Sequence, residues 1–497
     1  MTASPVRFRG RRPTSRGAAL LALALAFTVA AAAPEATAAQ QDDPARTARI
    51  DRIERSLVRP LQVEGLPVVE ALLADRMAHY GVPGVSIAVI DGGAVAWEKA
   101  YGVKDVETGE PVTTETLFQA ASISKPVSVM GMLRLVEGAR LDLDENVNEY
   151  LKSWKVPAHD FGETVTLRRL ASHTAGTTVH GFPGYARSAE RPATPGVLRG
   201  EGNTDPVVVD LEPGLRFRYS GGGTTILQLV VEDVTDRPFP EYMADAVLGP
   251  AGLTHSTFAQ PLPEERWDDA ASGHRPDGSK VEEDWHVYPE MAAAGLWTTP
   301  GDLARLGVEV QRSLGGESNR VLSQAMTEAM LEPVMDGYGL GFGTQPGPTG
   351  RFGHGGANEG FRANLVAFRD GRGVVVMTNS DRGGLLAQEI LAAVGREYGW
   401  TELQPETLTR YDLPEVRRAA LAGRYTVPAM GGFTLTLTAT VDGLFDVASD
   451  RLPASTLVPV SATDLIDLSD GTRIAIEWDG DRVVRLRTQG VEVVPSP

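Results

Sequence analysis

The chain of 497 residues contains no cysteine. A thiol nucleophile, a disulfide, a Cys-ligated zinc and an iron–sulfur cluster are therefore excluded, as is a lipid anchor attached at a signal-cleavage cysteine. Positive charge is in the minority, with 47 Lys+Arg against 65 Asp+Glu and a net charge of −18. A nucleic-acid binder needs a basic face to meet phosphates, so that class is set aside. The eight histidines include no H-x-x-x-H pair and no close His/Asp cluster, which removes a metal site and with it a metallohydrolase. No G-x-S-x-G elbow occurs, which argues against an α/β-hydrolase. Beyond residue 39 no stretch is long and apolar enough to span a membrane, and there are no internal repeats.

What is present is a globular composition. With 42% hydrophobic residues the chain can bury large cores, and its length suits two or three domains. Residues 1–39 hold five arginines (Arg7, Arg9, Arg11, Arg12, Arg16) and one acid, Glu35. They also hold an apolar run from Ala18 to Ala33 and the small-residue stretch Ala36-Thr37-Ala38-Ala39. This is the layout of a secretory signal, and its removal leaves 42 bases against 64 acids, a net charge of −22.

After a polar leader from Gln40 to Arg59, the spacing of Val69, Leu72, Leu73, Met77 and Tyr80 predicts a helix over Pro67–Tyr80. Strands are expected at Val85–Ile90 and Ala94–Tyr101, around Asp91-Gly92-Gly93. A helix follows from Ser122 to Glu137, stopped at Gly138. Further helices are expected at Ile226–Val234, after the N-cap Thr299, and at Leu385–Tyr398, with strands at Arg362–Phe368 and Val374–Thr378. Helices on either side of antiparallel strands indicate an α+β layered domain over residues 40–400, with an all-helical subdomain. Residues 401–414 read as a linker. Residues 415–497 read as a small all-β domain: Phe433, Leu435, Leu437, Ala439 and Val441 alternate with polar residues, and Asp479-Gly480 marks a hairpin.

Three segments carry candidate chemistry. In Ser122-Ile123-Ser124-Lys125 the serine and lysine lie three apart, on one helix face. The helix N-terminus favours an alkoxide and disfavours a charged lysine, so Lys125 can serve as base to a Ser122 nucleophile. The pair alone also fits an N-cap serine beside a solvated lysine. Tyr219, before the glycine run Gly221-Gly222-Gly223, can present its hydroxyl to a cleft as a proton shuttle, or simply pack its ring. His354, in Gly353-His354-Gly355-Gly356-Ala357 just before the 362–368 strand, can hydrogen-bond substrate while backbone N–H groups serve an oxyanion. An incidental histidine in a glycine-rich loop fits that segment too.

In this order and spacing the three segments resemble the serine β-lactamase and penicillin-binding superfamily, most closely its class C β-lactamase, D,D-carboxypeptidase and esterase branch. Leu117–Lys125, Leu141–Asp144, Leu170–Gly176 and Ala294–Leu303 resemble that branch as well, and the likeness extends over about residues 65–400. The C-terminal β domain resembles the lipocalin-like, β-barrel modules appended to such enzymes. The resemblance implies an acyl-enzyme on Ser122, with Lys125 and Tyr219 sharing the general base and acid roles. It places His354 where relatives carry the lysine of Lys-Thr-Gly, and backbone N–H groups of Ser122 and Ala357 in the oxyanion hole. Gly221, Gly355 and Gly356 would border the substrate. No metal or cofactor is implied, and the partner is a small ester, amide or peptide. The place of action would be the periplasm or exterior of a bacterium, with no stable membrane anchor and no obligate protein partner.

Two departures stand out. Gly221 replaces the asparagine of the usual Tyr-Ser-Asn, removing a side-chain amide. His354 replaces a fixed cation with a near-neutral ring, which weakens carboxylate recognition. Both favour an ester, amide or D-amino-acid peptide over a β-lactam. The alternatives are a β-lactamase or D,D-carboxypeptidase proper, and a non-catalytic penicillin-binding sensor or scaffold. His173 reads as part of a structural loop, and His286, between Trp285 and Tyr288, as a member of an aromatic cluster or a cleft residue.

Overall fold

A computed structural model describes residues 43–496 apart from 348, 431, 450, 452 and 489; the expected signal, 1–39, lies outside the described residues. The organising element is a six-stranded antiparallel sheet. Its strands are β1 (Gly84–Asp91), β2 (Ala94–Gly102), β3 (Gly343–Thr344), β4 (Arg351–Asn358), β5 (Phe361–Phe368) and β6 (Gly373–Thr378). Their spatial order is β2-β1-β6-β5-β4-β3. The β1–β2 turn pairs Asp91 with Ala94 across Gly92 and Gly93, both at positive φ, as a two-residue hairpin requires.

Both faces of the sheet are covered, which explains why β1 is apolar at nearly every position. Val85, Ile87 and Val89 enter a core with Leu73, Met77, Leu386 and Ile390. Ala88 and Ile90 enter the larger core on the opposite face. The first of these cores is roofed by α1 (Leu73–Tyr80) and the long C-terminal helix Gly383–Tyr398. On the second face lie α2 (Ser124–Glu137), α3 (Gly221–Thr235) and α4 (Pro300–Leu314), and the helix Gly383–Tyr398 is numbered α5. Helix α4 starts as its sequence dictates: Thr299 caps the Asp302 amide at 3.1 Å and Pro300 occupies the first turn.

The barrel domain comprises eight antiparallel strands. They are β7 (Gly423–Val427), β8 (Phe433–Ala439), β9 (Phe445–Ser449), β10 (Ser455–Pro459), β11 (Asp464–Asp467), β12 (Arg473–Asp479), β13 (Arg482–Thr488) and β14 (Val491–Pro495). β14 pairs back onto β7, so the barrel is closed. Tyr425, Phe433, Leu437, Phe445, Leu457 and Ile476 belong to its core.

Several expectations need correction. The polar leader contains a helix, Pro44–Arg55; its buried face is little more than Ile53, and Arg52 ties it to Glu397 at 2.6 Å. Helix α1 begins only at Leu73. Val69 and Leu72, expected on its buried face, are 76% and 47% exposed, because Ala71 instead bonds to the Leu57 backbone. Val441 lies beyond the end of β8 and is 98% exposed. The stretch 401–414 contains a 3-10 turn, Thr401–Leu403, and a strand, Glu406–Leu408, paired in parallel with Leu61–Val63.

Candidate active site

The site forms where α2, α3 and β4 converge. Ser122 lies in a 3-10 turn, Ala121–Ile123, which runs into α2 at Ser124. Ala121 has φ of 49°, a costly left-handed conformation for alanine, immediately before the serine. Lys125, in the first turn of α2, is buried, and its Nζ lies 2.9 Å from Ser122 Oγ and 2.8 Å from the Ala293 carbonyl oxygen. Burial pushes the ammonium pKa down to about 7. An amine donating one N–H to Ala293 can aim its lone pair at the serine hydroxyl.

The strip that carries Ala293 is fastened on several sides. Ser124 Oγ accepts from the Leu296 amide at 3.0 Å, and Ser128 Oγ donates to the Ala292 carbonyl at 3.2 Å. Gln228 of α3 accepts from the Ala292 amide at 3.0 Å and donates to the Pro289 carbonyl at 3.1 Å. Asn358 at the end of β4 donates to the Ala294 carbonyl at 3.1 Å. The acceptor that orients Lys125 is thus held by three different elements.

Tyr219 precedes the Ser220 N-cap of α3, where Ser220 Oγ accepts from the Gly223 amide at 2.9 Å. Burial raises the phenol pKa to about 12, partly offset by a hydrogen bond to Ser122. Lys125 Nζ lies 4.9 Å from the Tyr219 ring centroid. His354 sits within β4, not in a loop before β5. Its Nδ1 faces the Gly355 carbonyl oxygen, which assigns the proton there. Nε2 is then an acceptor, 3.5 Å from the Tyr219 hydroxyl. Burial and the nearby Lys125 charge hold the His354 pKa down to about 4, so the ring is neutral at pH 7.

Ser122, Tyr219, His354, Gly355, Gly356 and Ala357 line one cleft. Gly221 is not among the lining residues; it is buried, and a Cβ there would lie 2.9 Å from the Phe182 ring and 3.1 Å from the His180 carbonyl. Gly356 is required by close packing, since its Cβ would lie 2.2 Å from the Ala120 carbonyl oxygen. His173 stands behind Tyr219, ring centroids 4.3 Å apart, and accepts from the Ser220 amide at 3.2 Å. Burial drives its pKa well down, so it is a neutral prop. His286 bonds to the Pro183 carbonyl at 2.9 Å, outside the cleft. Sequence reasoning missed His180, Asn364 and Gln388, which also line the cleft, and Ala293, a backbone acceptor that no side-chain pattern marks. Among the described residues no group of histidines and acids is placed to hold a metal ion.

The sequence profile of the Beta-lactamase family matches residues 69–395, which include all four of Ser122, Lys125, Tyr219 and His354. The chain belongs to the Beta-lactamase family. The family places it in the serine hydrolase superfamily. It is 26% identical over 287 residues to Protein flp of Staphylococcus aureus strain MW2, covering 54% of this chain and 55% of that protein. It is 29% identical over 276 residues to penicillin-binding protein 4 of Amycolatopsis lactamdurans, covering 52% of this chain and 67% of that one. The chain thus spans about half the length of Protein flp. The fold matches the octameric penicillin-binding protein homologue from Pyrococcus abyssi, with a TM-score of 0.58 at 23% identity, over 85% of this chain and 98% of that one.

Proposed function

We propose that the protein is an exported serine hydrolase that forms an acyl-enzyme at Ser122 and hydrolyses an ester, amide or D-amino-acid peptide bond. The observation that carries this reading is the 2.9 Å approach of Lys125 Nζ to Ser122 Oγ, with the lysine pKa lowered to about 7. At neutral pH a large fraction of Lys125 is the free amine. It takes the serine proton as Oγ attacks the substrate carbonyl carbon. The tetrahedral oxyanion is received by the backbone N–H groups of Ser122 and Ala357. Collapse breaks the bond to the leaving group, which takes the proton from Lys125 by way of the Tyr219 hydroxyl. Water then attacks the acyl carbon, gives its proton to the same pair, and releases Ser122.

Tyr219, with a pKa near 12, stays protonated and relays, while Lys125 is the base. Neutral His354 accepts from Tyr219 and offers no fixed charge to a substrate carboxylate. The space that a side chain at 221 would fill is taken by Phe182. Both features favour esters or peptides over β-lactams. Export rests on the signal-like residues 1–39.

The test is acylation by a fluorophosphonate and a fluorescent penicillin, read by intact mass, alongside turnover of short p-nitrophenyl esters, nitrocefin and D-Ala-D-Ala peptides. Wild type should gain one adduct and hydrolyse the short esters, Ser122→Ala should do neither, and nitrocefin should be slow or inert. Failure to label Ser122 would sink the acyl-enzyme; nitrocefin turnover equal to the best ester would reverse the substrate ranking.

A further inference from the structure

The cleft over Ser122 is open at one end. Four of its lining residues, His354, Gly355, Asn364 and Gln388, also line a second groove of about 690 Å³. The sequence makes this space in two ways. β3 pairs only with Phe352 and Gly353, so among the described residues the edge of β4 beyond them has no neighbouring strand. Alternation puts Arg351, Gly353, Gly355 and Ala357 on one face of β4, and a Cβ at Gly355 would meet nothing within 4 Å.

The groove is polar at its rim and apolar at its back. Gln345, Gln388 and Gln404 are exposed along it, with Leu391 and Leu403 behind them. Glu402 is neutralised by Arg372 at 2.9 Å. The guanidinium of Arg351 has no hydrogen bond or ion pair among the described residues, and the residue is exposed along the groove. Carboxamides offer a donor and an acceptor together, which matches peptide amides, and a free guanidinium matches a carboxylate. Ala357 lies six positions along β4 from Arg351, a span of about 20 Å, the length of roughly six extended residues.

We propose that this groove seats the far end of an extended peptide whose scissile bond lies at Ser122, with the peptide's amides against the glutamines and its terminal carboxylate at Arg351. This rests on the acyl-enzyme reading and names the substrate class of that site. A short ester occupies only the space over Ser122. A peptide acid uses the groove as well and gains binding there.

The experiment compares esters sharing one scissile bond: a short acetyl ester, and versions extended by six residues ending in a carboxylate or in an amide. The carboxylate peptide should exceed both others in kcat/KM by about tenfold or more. Arg351→Ala should erase the advantage of the acid over the amide and leave the short ester unchanged. Gln404→Trp, at an exposed position that fills the groove, should bring the extended substrates down to the short ester's rate. In Ser122→Ala protein, calorimetry should show the peptide acid binding more tightly than its amide. Equal kcat/KM for all three esters would overturn the groove while leaving short-ester turnover, and hence the acyl-enzyme, standing. So would an acidic oligosaccharide ester served better than the peptide, since it would reassign the ligand. Absence of any Ser122 adduct would remove both readings together.

Discussion

The six-stranded sheet and the barrel treat their edges and their buried polar groups differently. In the first, β4 carries His354 at an edge that β3 covers for only two residues. In the second, Tyr425 pairs with Pro495 and no edge remains. The buried polar side chains follow the same division. Lys125, His173, Glu290, Asp302 and Glu389 are buried in the region of the sheet, whereas within β7–β14 the buried side chains with a polar group, among the described residues, are Thr456 and Tyr425. Burying a titratable group costs stability, and a region keeps such groups only where packing elsewhere offsets the cost. The barrel bears little of that cost: its buried titratable group among the described residues is Tyr425, whose hydroxyl donates to the Leu421 carbonyl at 2.8 Å and whose pKa burial raises to about 12, far from neutrality. The sheet region holds a depressed lysine, a depressed histidine and a raised carboxyl together. The candidate chemistry concentrates there because that is where groups are held away from their ordinary ionisation.

The largest expected effect separates the regions outright. Ser122→Ala or Lys125→Met should lower kcat/KM for a short ester by about 10⁴-fold or more, with an unchanged circular dichroism spectrum. Any barrel substitution that cost as much in turnover per folded molecule would break the division. The converse is Phe445→Ala, at a fully buried position of the barrel core. It should destabilise by about 3–5 kcal/mol in urea unfolding without altering kcat of the folded fraction.

A smaller effect follows from Lys125. As the proposed base it acts as the free amine, and its pKa is lowered to about 7. Below that pH, kcat/KM should fall about tenfold per unit, because one proton then blocks the base. A profile flat from pH 5 to 8 would mean that Lys125 is not the base.

The parts of this site that sequence reveals are those with a local cause. Ser122 and Lys125 are legible because three residues make most of a helical turn, which puts their side chains side by side. Thr299-Pro300-Gly301-Asp302 is legible as a cap for the same kind of reason. Beyond that the cause is tertiary. Gly353-His354-Gly355-Gly356 fits a strand edge or a loop equally, since glycine weakens strands; pairing with β5 holds it extended, and Ala120 demands Gly356. Ala121 gives no sign of its positive φ, and Gln388 reaches the cleft from a helix far along the chain. The helix Pro44–Arg55 is hidden by its charge: it has almost no apolar stripe to reveal its period.

The smallest effect concerns Glu290, and it tests whether the sheet region alone carries a titration cost near neutrality. Glu290 is fully buried, and neither carboxyl oxygen has a hydrogen-bond partner among the described residues. Burial raises its pKa from 4.5 to about 7. The folded protein therefore holds this proton more tightly than the unfolded chain does. That contribution to stability is complete below about pH 4.5 and is lost as pH rises through about 7. Other groups blur the raw profile. Glu98 and Glu232 are raised in the same sense, while Lys125, His173 and His354 are lowered and contribute with the opposite sign. Glu290→Gln isolates the term, because glutamine leaves a polar group equally unpartnered at every pH. Its constant cost cancels when each protein is compared with itself. Between pH 5 and pH 8 the wild type should lose on the order of 2–3 kcal/mol relative to the variant in urea unfolding. Equal losses would show that Glu290 titrates as an ordinary carboxyl, and the contrast near neutrality between the sheet region and the barrel would then rest on the lysine and histidines alone.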